Sequence, residues 1–183
     1  MNKKRWYILG PILLVVLIVF DQLTKYLARQ SLADGDFKII DGFFSFRYVT
    51  NKGAAWGMLQ GKVDILSIVS ILLVGAVCYF YIKTPEDKKF NKMRFLSVCV
   101  VAGAFGNLID RIFMGEVTDF LYFELIDFPI FNVADIYITV AMFVFIFLML
   151  FYYKDDDLDF ISFKKKTSKE PNKEEKKENE EEN

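Results

Sequence analysis

One aspartate of this 183-residue chain lies where an acid is energetically costly. Asp135 lies one helical turn into an apolar run long enough to cross a bilayer, and an ionisable group in hydrocarbon indicates a functional site by default. Asp119 lies between two such runs. Two carboxyl groups held together in a low-dielectric site cannot both ionise easily, so one keeps a proton and the pair activates a water molecule. Such a pair hydrolyses peptide bonds without a metal or a covalent nucleophile.

The chain contains no histidine. This excludes Ser-His-Asp and Cys-His catalysis and the H-E-x-x-H zinc motif, and it leaves carboxylates as the natural acid and base groups. We expect no cofactor and no metal ion. Cys78 and Cys99 fall within apolar runs, where cysteine behaves as a small hydrophobic residue.

Four apolar runs must position these acids. Each approaches the roughly 20 residues that a spanning helix needs; they cover residues 6–28, 63–82, 95–112 and 133–153. Hydrophobic residues make up 54% of the chain, which exceeds the roughly 45–50% usual for a soluble domain. The sequence therefore predicts an all-α membrane protein with four transmembrane helices in a domain over residues 1–153. The first run lacks a small-residue cleavage site, and we interpret it as an uncleaved signal anchor.

Basic residues predict that both termini lie in the cytoplasm. Lys3, Lys4 and Arg5 precede the first run, and five basic residues lie in the short loop between the second and third runs. The loop between the third and fourth runs has only Arg111, at its start. The positive-inside rule therefore assigns the N-terminus and the loop between the second and third runs to the cytoplasmic side. This topology brings the unusual polar residues to the outer boundary of the hydrocarbon. They are Asp21, Lys25, Asn51, Asn107, Arg111, Asp119, Asn132 and Asp135.

Helical spacing groups some of these residues further. Gly103, Asn107 and Arg111 are four apart and share one helix face. Asn132 and Asp135 are three apart and share another face. Amide and guanidinium groups are suited to holding carboxylates by hydrogen bonds and to positioning a scissile peptide.

Several of the polar residues also have a plainer structural interpretation. Asn132 is well placed to cap the helix that follows it. Asp119 in an ordinary loop would be solvated, and Asp110 beside Arg111 fits a helix-end ion pair.

The remaining candidates have structural alternatives as well. Asp21 and Lys25 form an i,i+4 pair that would partly neutralise both charges. Gly103 and Gly106 fit a role in close helix packing.

The outer segment 29–62 predicts a small antiparallel sheet. Asp41-Gly42 is a strong hairpin turn signal, and aromatic residues then alternate with others in F-S-F-R-Y-V over residues 44–49. Residues 120–125 are a candidate for another strand. The aromatic face either rests on lipid headgroups or an acyl chain, or it forms a small core beneath the loop.

Residues 154–183 have a different composition from the rest of the chain. They carry 8 Lys and 11 Asp or Glu, with few apolar residues after Phe163. A segment of this kind cannot bury enough surface to fold. We therefore predict a disordered, charged cytoplasmic tail.

Five ordered blocks resemble the lipoprotein signal peptidases, also called signal peptidase II. They read D-Q-L-T-K, N-K-G-A-A-W-G, G-A-F-G-N-L-I-D-R, V-T-D-F and F-N-V-A-D, and they extend from about residue 21 to residue 138. The resemblance implies a bacterial intramembrane aspartic endopeptidase that removes signal peptides from prolipoproteins. Enzymes of this kind cut before a cysteine that carries an S-linked diacylglyceryl group. The family fold is four transmembrane helices with a small extracytoplasmic sheet.

Block matching also implies roles for individual residues. The family's catalytic aspartates fall on Asp119 in V-T-D-F and on Asp135 in F-N-V-A-D. Its supporting residues fall on Asp21, Lys25, Asn51, Gly103, Asn107, Arg111 and Asn132.

The resemblance further implies the surroundings and ligands of the protein. It implies a place in the bacterial cytoplasmic membrane, with the active site near the outer leaflet and in contact with membrane lipid. Globomycin-type cyclic peptides are the implied inhibitors. We expect a monomer that binds no nucleic acid.

Two other functions would use a polar cluster of this kind. The cluster fits a proton or ion site in a small transporter, although transporters usually place such sites near the midplane and show internal repeats. The third possibility is a non-enzymatic membrane assembly factor. The argument against it is that such a factor has no need for two acids at one depth.

Overall fold

The computed structural model describes residues 3–53, 58–158 and 160. The helices are α1 Lys3–Ser31, α2 Val63–Lys83, α3 Asn91–Met114 and α4 Val133–Phe151. The strands are β1 Phe37–Ile40, β2 Phe44–Asn51 and β3 Val117–Phe123. In this described part of the chain four helices are long and apolar enough to cross a membrane, which confirms the predicted fold class. Most of the predicted tail lies outside the described residues.

The central element is α3, because α1, α2 and α4 each pack against it. In its apolar 18-residue window 67% of the residues are buried, against 11% for α1, 6% for α2 and 17% for α4. The outward apolar faces of the other helices are suited to contact with lipid. A central helix can carry polar side chains because they face the bundle interior and not hydrocarbon.

Two glycines let α3 approach its neighbours closely. A Cβ atom at Gly103 would lie 2.4 Å from the backbone oxygen of Ala134, and one at Gly106 would lie 2.4 Å from Asp21 Oδ2. Both distances are far below a normal contact. The packing interpretation therefore fits both glycines, and neither has a side chain that could act on a substrate.

The three strands form one antiparallel sheet in the order β1-β2-β3. The predicted turn at Asp41-Gly42 joins β1 to β2, and Gly42 has φ +68°, which glycine adopts without strain. Strand β3 begins at Val117, earlier than the predicted strand, and ends at Phe123 in a 3₁₀ turn over Glu124–Ile126.

Asp119 consequently lies inside a strand, and the expectation of a loop position is wrong. Asp119 pairs with Val49 of β2 in the sheet register. The residues before Asp119, Val117 and Thr118, are β-branched and extend the strand toward α3.

The aromatic residues of the sheet divide into two groups. Phe46 and Phe120 pack with Ala28 of α1 in a small core beside the C-terminal end of that helix. Phe37 and Phe43 stay 61% and 42% exposed. The small-core interpretation is therefore correct for one part of the aromatic set, and the other part presents an apolar surface.

The chain returns to the bundle beside β3. Phe131 forms a bridge with Leu121, with Leu121 N donating to Phe131 O at 2.8 Å. Asn132 then caps α4, as its cap interpretation predicted, because its Oδ1 accepts the Asp135 N–H at 3.0 Å. Asp135 Oδ2 in turn accepts the Asn132 N–H at 3.1 Å, which completes a capping box. This turn brings the start of α4 next to the strand that carries Asp119.

Replacing Gly103 by alanine should destabilise the bundle. The added methyl group would overlap the Ala134 carbonyl and Ile138, and overpacking of this kind costs about 1–3 kcal/mol. Gly75→Ala in α2 is the matched control, because nothing lies within 4 Å of its Cβ position. Thermal unfolding in detergent should show a lower Tm for Gly103→Ala only. Equal Tm values for the two variants would contradict the packing role.

Candidate active site

Asp119 and Asp135 belong to one hydrogen-bond network although they come from different elements. Asp119 projects from β3, and Asp135 from the first turn of α4. Asn132 Nδ2 donates to Asp119 Oδ1 at 2.7 Å, and Asn107 Nδ2 donates to Asp135 Oδ1 at 2.8 Å. Asn132 Nδ2 also donates to Asn107 Oδ1 at 3.1 Å. The amides of Asn107 and Asn132 thus hold one acid each and are joined to each other.

The orientation of these amides is set by their other partners. Asn107 Oδ1 accepts a hydrogen bond from Lys25 Nζ at 2.9 Å, which turns the Asn107 Nδ2 group toward Asp135. The Oδ1 atom of Asn132 is occupied by the Asp135 N–H, so its Nδ2 group faces Asp119. An amide has one acceptor and one donor end, and neither side chain can be reversed without losing its bonds.

Asn51 supplies a further amide from β2. Its Nδ2 donates to Asp119 Oδ2 at 2.9 Å, while its Oδ1 accepts the Gly53 N–H at 2.8 Å. Both carboxyl oxygens of Asp119 therefore accept an amide hydrogen. The donors are all neutral.

Asp119 is buried, with only 3% of its surface exposed. Burial raises its pKa to about 7, and the nearby charge of Asp135 acts in the same direction. The hydrogen bonds from Asn51 and Asn132 and the charge of Lys25 oppose the shift. Asp119 is thus partly protonated at neutral pH. The solvated-loop interpretation does not hold for this residue.

Both acids line a cavity of about 720 Å³. Asn51, Asn107 and Arg111 also reach its wall. The remaining lining is mainly apolar and includes Leu73, Phe128, Ile130, Ile136, Ile138, Val140 and Phe143. A substrate in this cavity would contact both carboxyl groups.

The other four predicted site residues do not line the cavity. They are Asp21, Lys25, Gly103 and Asn132. Asn132, Asp21 and Lys25 are fully buried behind its wall. They are thus in a position to act on the site through other residues and not through the substrate.

Arg111 points toward the cavity and away from Asp110. Its NH1 atom lies 3.5 Å from Ser70 Oγ of α2, and in the described part of the chain it forms no ion pair. The helix-end ion pair of Asp110 and Arg111, the structural alternative for these residues, is therefore not formed. Consecutive helical residues lie about 100° apart, and Asp110 faces α1, where Lys25 Nζ lies 3.3 Å from its Oδ2.

The predicted pair of Asp21 and Lys25 is formed. Lys25 Nζ lies 2.9 Å from Asp21 Oδ2. Gln22 joins the same group, because its Nε2 donates to Asp21 Oδ2 and to Asp110 Oδ1, each at 3.1 Å. The ion pair thus belongs to a larger buried cluster between α1 and α3.

Four residues that contact these groups did not emerge as site candidates from the sequence: Gln22, Asp110, Ser70 and Thr118, whose N–H donates to Asp110 Oδ2 at 3.1 Å. Gln22, Asp110 and Thr118 lie inside the blocks D-Q-L-T-K, G-A-F-G-N-L-I-D-R and V-T-D-F, so block membership was an available signal. Ser70 had only the weak signal of a polar residue in an apolar run.

Comparisons with known sequences identify the relatives of this chain. Residues 13–151 match the family described as signal peptidase (SPase) II. Proteins named lipoprotein signal peptidase from the Staphylococcus aureus strains JH9 and Newman are 38% identical to this chain over 154 residues, which cover 82% of this chain and 93% of each relative. The matched range contains every residue of the network described above.

Solved structures show the same fold. A bacterial membrane enzyme determined by the in meso method at 2.3 Å resolution has a TM-score of 0.72 and 33% identity, over 85% of this chain and 93% of its own. A second, at 1.9 Å, has a TM-score of 0.69 and 35% identity, over 79% and 94% of the two chains.

The raised pKa of Asp119 predicts that stability falls as pH rises from about 4 to about 7. The folded protein keeps the Asp119 proton to about pH 7, whereas an ordinary aspartate loses it near 3.8. Because the native state binds more protons in this interval, its free energy of unfolding declines with pH. A shift of about three pKa units corresponds to about 4 kcal/mol.

Thermal unfolding at pH 5 and pH 8 measures this effect. The difference in Tm between the two pH values should shrink in Asp119→Asn, which has no proton to lose. The exposed Asp41→Asn in the hairpin is the control and should keep the difference found for the wild type. An undiminished pH dependence in Asp119→Asn would contradict the raised pKa.

Proposed function

The chain belongs to the signal peptidase II family, and on that premise we propose that Asp119 and Asp135 are its two catalytic groups. The protein is a peptidase that removes signal peptides from prolipoproteins. One observation carries the assignment. The two acids come from different elements, yet they line the same cavity and are joined through the amides of Asn107 and Asn132.

The reaction we propose is direct attack by water. One carboxylate of the pair takes a proton from the water molecule, and the oxygen of that water attacks the scissile carbonyl carbon. The protonated partner donates its proton to the carbonyl oxygen. The tetrahedral intermediate then collapses. The carboxyl group that took the water proton gives it to the departing nitrogen as the peptide C–N bond breaks, and a hydroxyl of the intermediate returns a proton to the other carboxylate. The products are a new carboxyl end on the signal peptide and a free amine on the lipoprotein.

Neutral amides suit this chemistry. Asn51, Asn107 and Asn132 hold the two carboxyl groups in place without adding positive charge. A cation in direct contact would lower the pKa of Asp119 and remove the proton that the reaction uses. Arg111 faces the same cavity, and we assign it to binding a carbonyl of the substrate.

The apolar part of the cavity supports a lipid-bearing substrate. Val140 and Phe143 of α4 line the cavity and are also 55% and 70% exposed on the outside of the bundle. The cavity thus continues to a surface that lipid would cover. We propose that acyl chains of the substrate lie along this surface and that cleavage occurs before the cysteine carrying the S-diacylglyceryl group.

The same reasoning gives a proposed cellular arrangement. Asp135 is at the start of α4 and Arg111 near the end of α3, so both belong to the membrane side that carries the sheet. With the termini in the cytoplasm, the site lies near the outer leaflet of the cytoplasmic membrane. Because one chain supplies both acids and all their amide partners, we propose that it acts as a monomer, with residues 1–153 as the peptidase domain.

Asp119→Asn and Asp135→Asn should each abolish cleavage of a diacylated prolipoprotein. Asparagine keeps the size of the side chain but cannot exchange the proton that activates water. The measurement is a gel-shift assay with purified protein. Asp41→Asn, which changes an exposed aspartate of the same side of the molecule, is the matched control and should cleave at the wild-type rate. Cleavage by the Asp119→Asn/Asp135→Asn double variant would refute the assignment.

The lipid on the substrate should matter for cleavage. A precursor without the diacylglyceryl group should be cut far more slowly than the modified precursor, because it leaves the apolar wall of the cavity unfilled. Parallel gel-shift reactions with the two precursors test this expectation. Globomycin should block cleavage of the modified precursor if it occupies the same cavity. Equal rates for both precursors would contradict the lipid role proposed for the cavity.

A further inference from the structure

We propose that the ammonium group of Lys25 positions the two catalytic aspartates relative to each other. It does so through Asp110 and Asp21. Each of these carboxylates accepts the backbone N–H of the residue that immediately precedes a catalytic aspartate. This inference rests on the proposed function of Asp119 and Asp135. It assigns a role to a buried charged cluster that has no contact with the cavity.

The first connection leads to Asp119. Asp110 Oδ2 accepts the backbone N–H of Thr118 at 3.1 Å, and Lys25 Nζ lies 3.3 Å from the same oxygen. Thr118 immediately precedes Asp119 in β3. Arg29 of α1 also donates to Thr118 Oγ1 at 2.8 Å. The backbone that carries Asp119 is therefore fixed to α3 by Asp110 and to α1 by Arg29.

The second connection leads to Asp135. Asp21 Oδ1 accepts the backbone N–H of Ala134 at 2.9 Å, and Lys25 Nζ lies 2.9 Å from Asp21 Oδ2. Ala134 immediately precedes Asp135 in α4. A helix leaves its first N–H groups without partners, and here a carboxylate from α1 satisfies one of them. The missing side chain of Gly106 provides the space for this carboxylate.

The third connection runs through Asn107. Lys25 Nζ donates to Asn107 Oδ1 at 2.9 Å, and Asn107 Nδ2 holds Asp135 Oδ1 at 2.8 Å. An ammonium group has three donors, and Asp21, Asp110 and Asn107 are three acceptors. One nitrogen atom thus connects α1 and α3 with both elements that carry a catalytic acid.

Burial makes each charged member of this cluster dependent on its partners. The side chains of Lys25, Asp21 and Asp110 are 0% exposed. Removing one partner of a buried ion pair leaves an uncompensated charge. Without the ammonium group, Asp21 and Asp110 repel each other, and the peptide groups of Thr118 and Ala134 move with them. Misplacement of reacting groups by about 1 Å can reduce a rate by about 100-fold.

Kinetics of Lys25→Met test this role. We expect kcat to fall by about 100-fold, with KM within threefold of the wild-type value because Lys25 does not line the cavity. The alkaline limb of the pH–rate profile should move to higher pH, because the charge of Lys25 lowers the pKa of Asp119, the group that keeps the proton. Lys25→Arg keeps the charge and should retain more of kcat, and it should keep the alkaline limb near its wild-type position.

Lys38→Met is the matched control. Lys38 also pairs with a nearby aspartate, Asp41, but both side chains are exposed, and neither belongs to the network. This variant should keep wild-type kcat and KM.

Any of three results would overturn the proposal. They are a Lys25→Met enzyme with unchanged kcat and pH profile, an effect of Lys25→Met confined to KM, and failure of both Lys25→Met and Asp110→Asn to fold. If Lys25→Met does not accumulate as a folded protein, Asp110→Asn decides, with the same loss of kcat at constant KM expected. Failure of both variants to fold would assign the cluster to stability alone and also overturn the proposal. Activity in Asp119→Asn would instead refute the proposed function, which distinguishes the two failures.

Discussion

Three buried carboxyl groups and the half-buried Asp135 lie near one another, and the arrangement of the site follows from the donors that each of them requires. A carboxylate without partners is costly in a low-dielectric interior. Asp21 and Asp110 are satisfied by the Lys25 ammonium group and by peptide N–H groups. Asp119 and Asp135 receive amide and peptide donors and face the cavity. The Lys25 ammonium group thus contacts Asp21 and Asp110, which lie behind the cavity wall. Neutral groups hold the two acids that line the cavity, Asp119 and Asp135.

This division depends on the central position of α3. The helix supplies Asp110 to the buried cluster, Asn107 to the acid at the cavity and Arg111 to the cavity itself. Such a polar helix is tolerable in a bilayer because its neighbours cover it. The close approach of those neighbours depends in turn on Gly103 and Gly106, where any side chain would collide with α4 or with Asp21. Packing and chemistry therefore constrain the same helix.

The sequence was sufficient for features that depend on local pattern. Hydropathy predicted the four spans, and Asp41-Gly42 predicted the hairpin. What it could not predict was the choice of partners between elements. The structural alternative for Asp110 was a pair with Arg111, its neighbour in sequence, but the packing of α1 on α3 gives it Lys25 instead. Asp119 was expected in a loop because the strand signal of residues 117–119 becomes clear only when β2 is present to pair with them.

The apolar wall of the cavity links substrate binding to acid–base chemistry. Burial is the largest cause of the raised pKa of Asp119, and burial depends on how little water reaches the carboxyl group. On the proposed function, an acyl chain lying against Val140 and Phe143 would remove water from the same cavity and act in the same direction. The lipid of the substrate would then be more than an anchor, because the surface proposed to bind it would also help to keep a proton on the pair of Asp119 and Asp135.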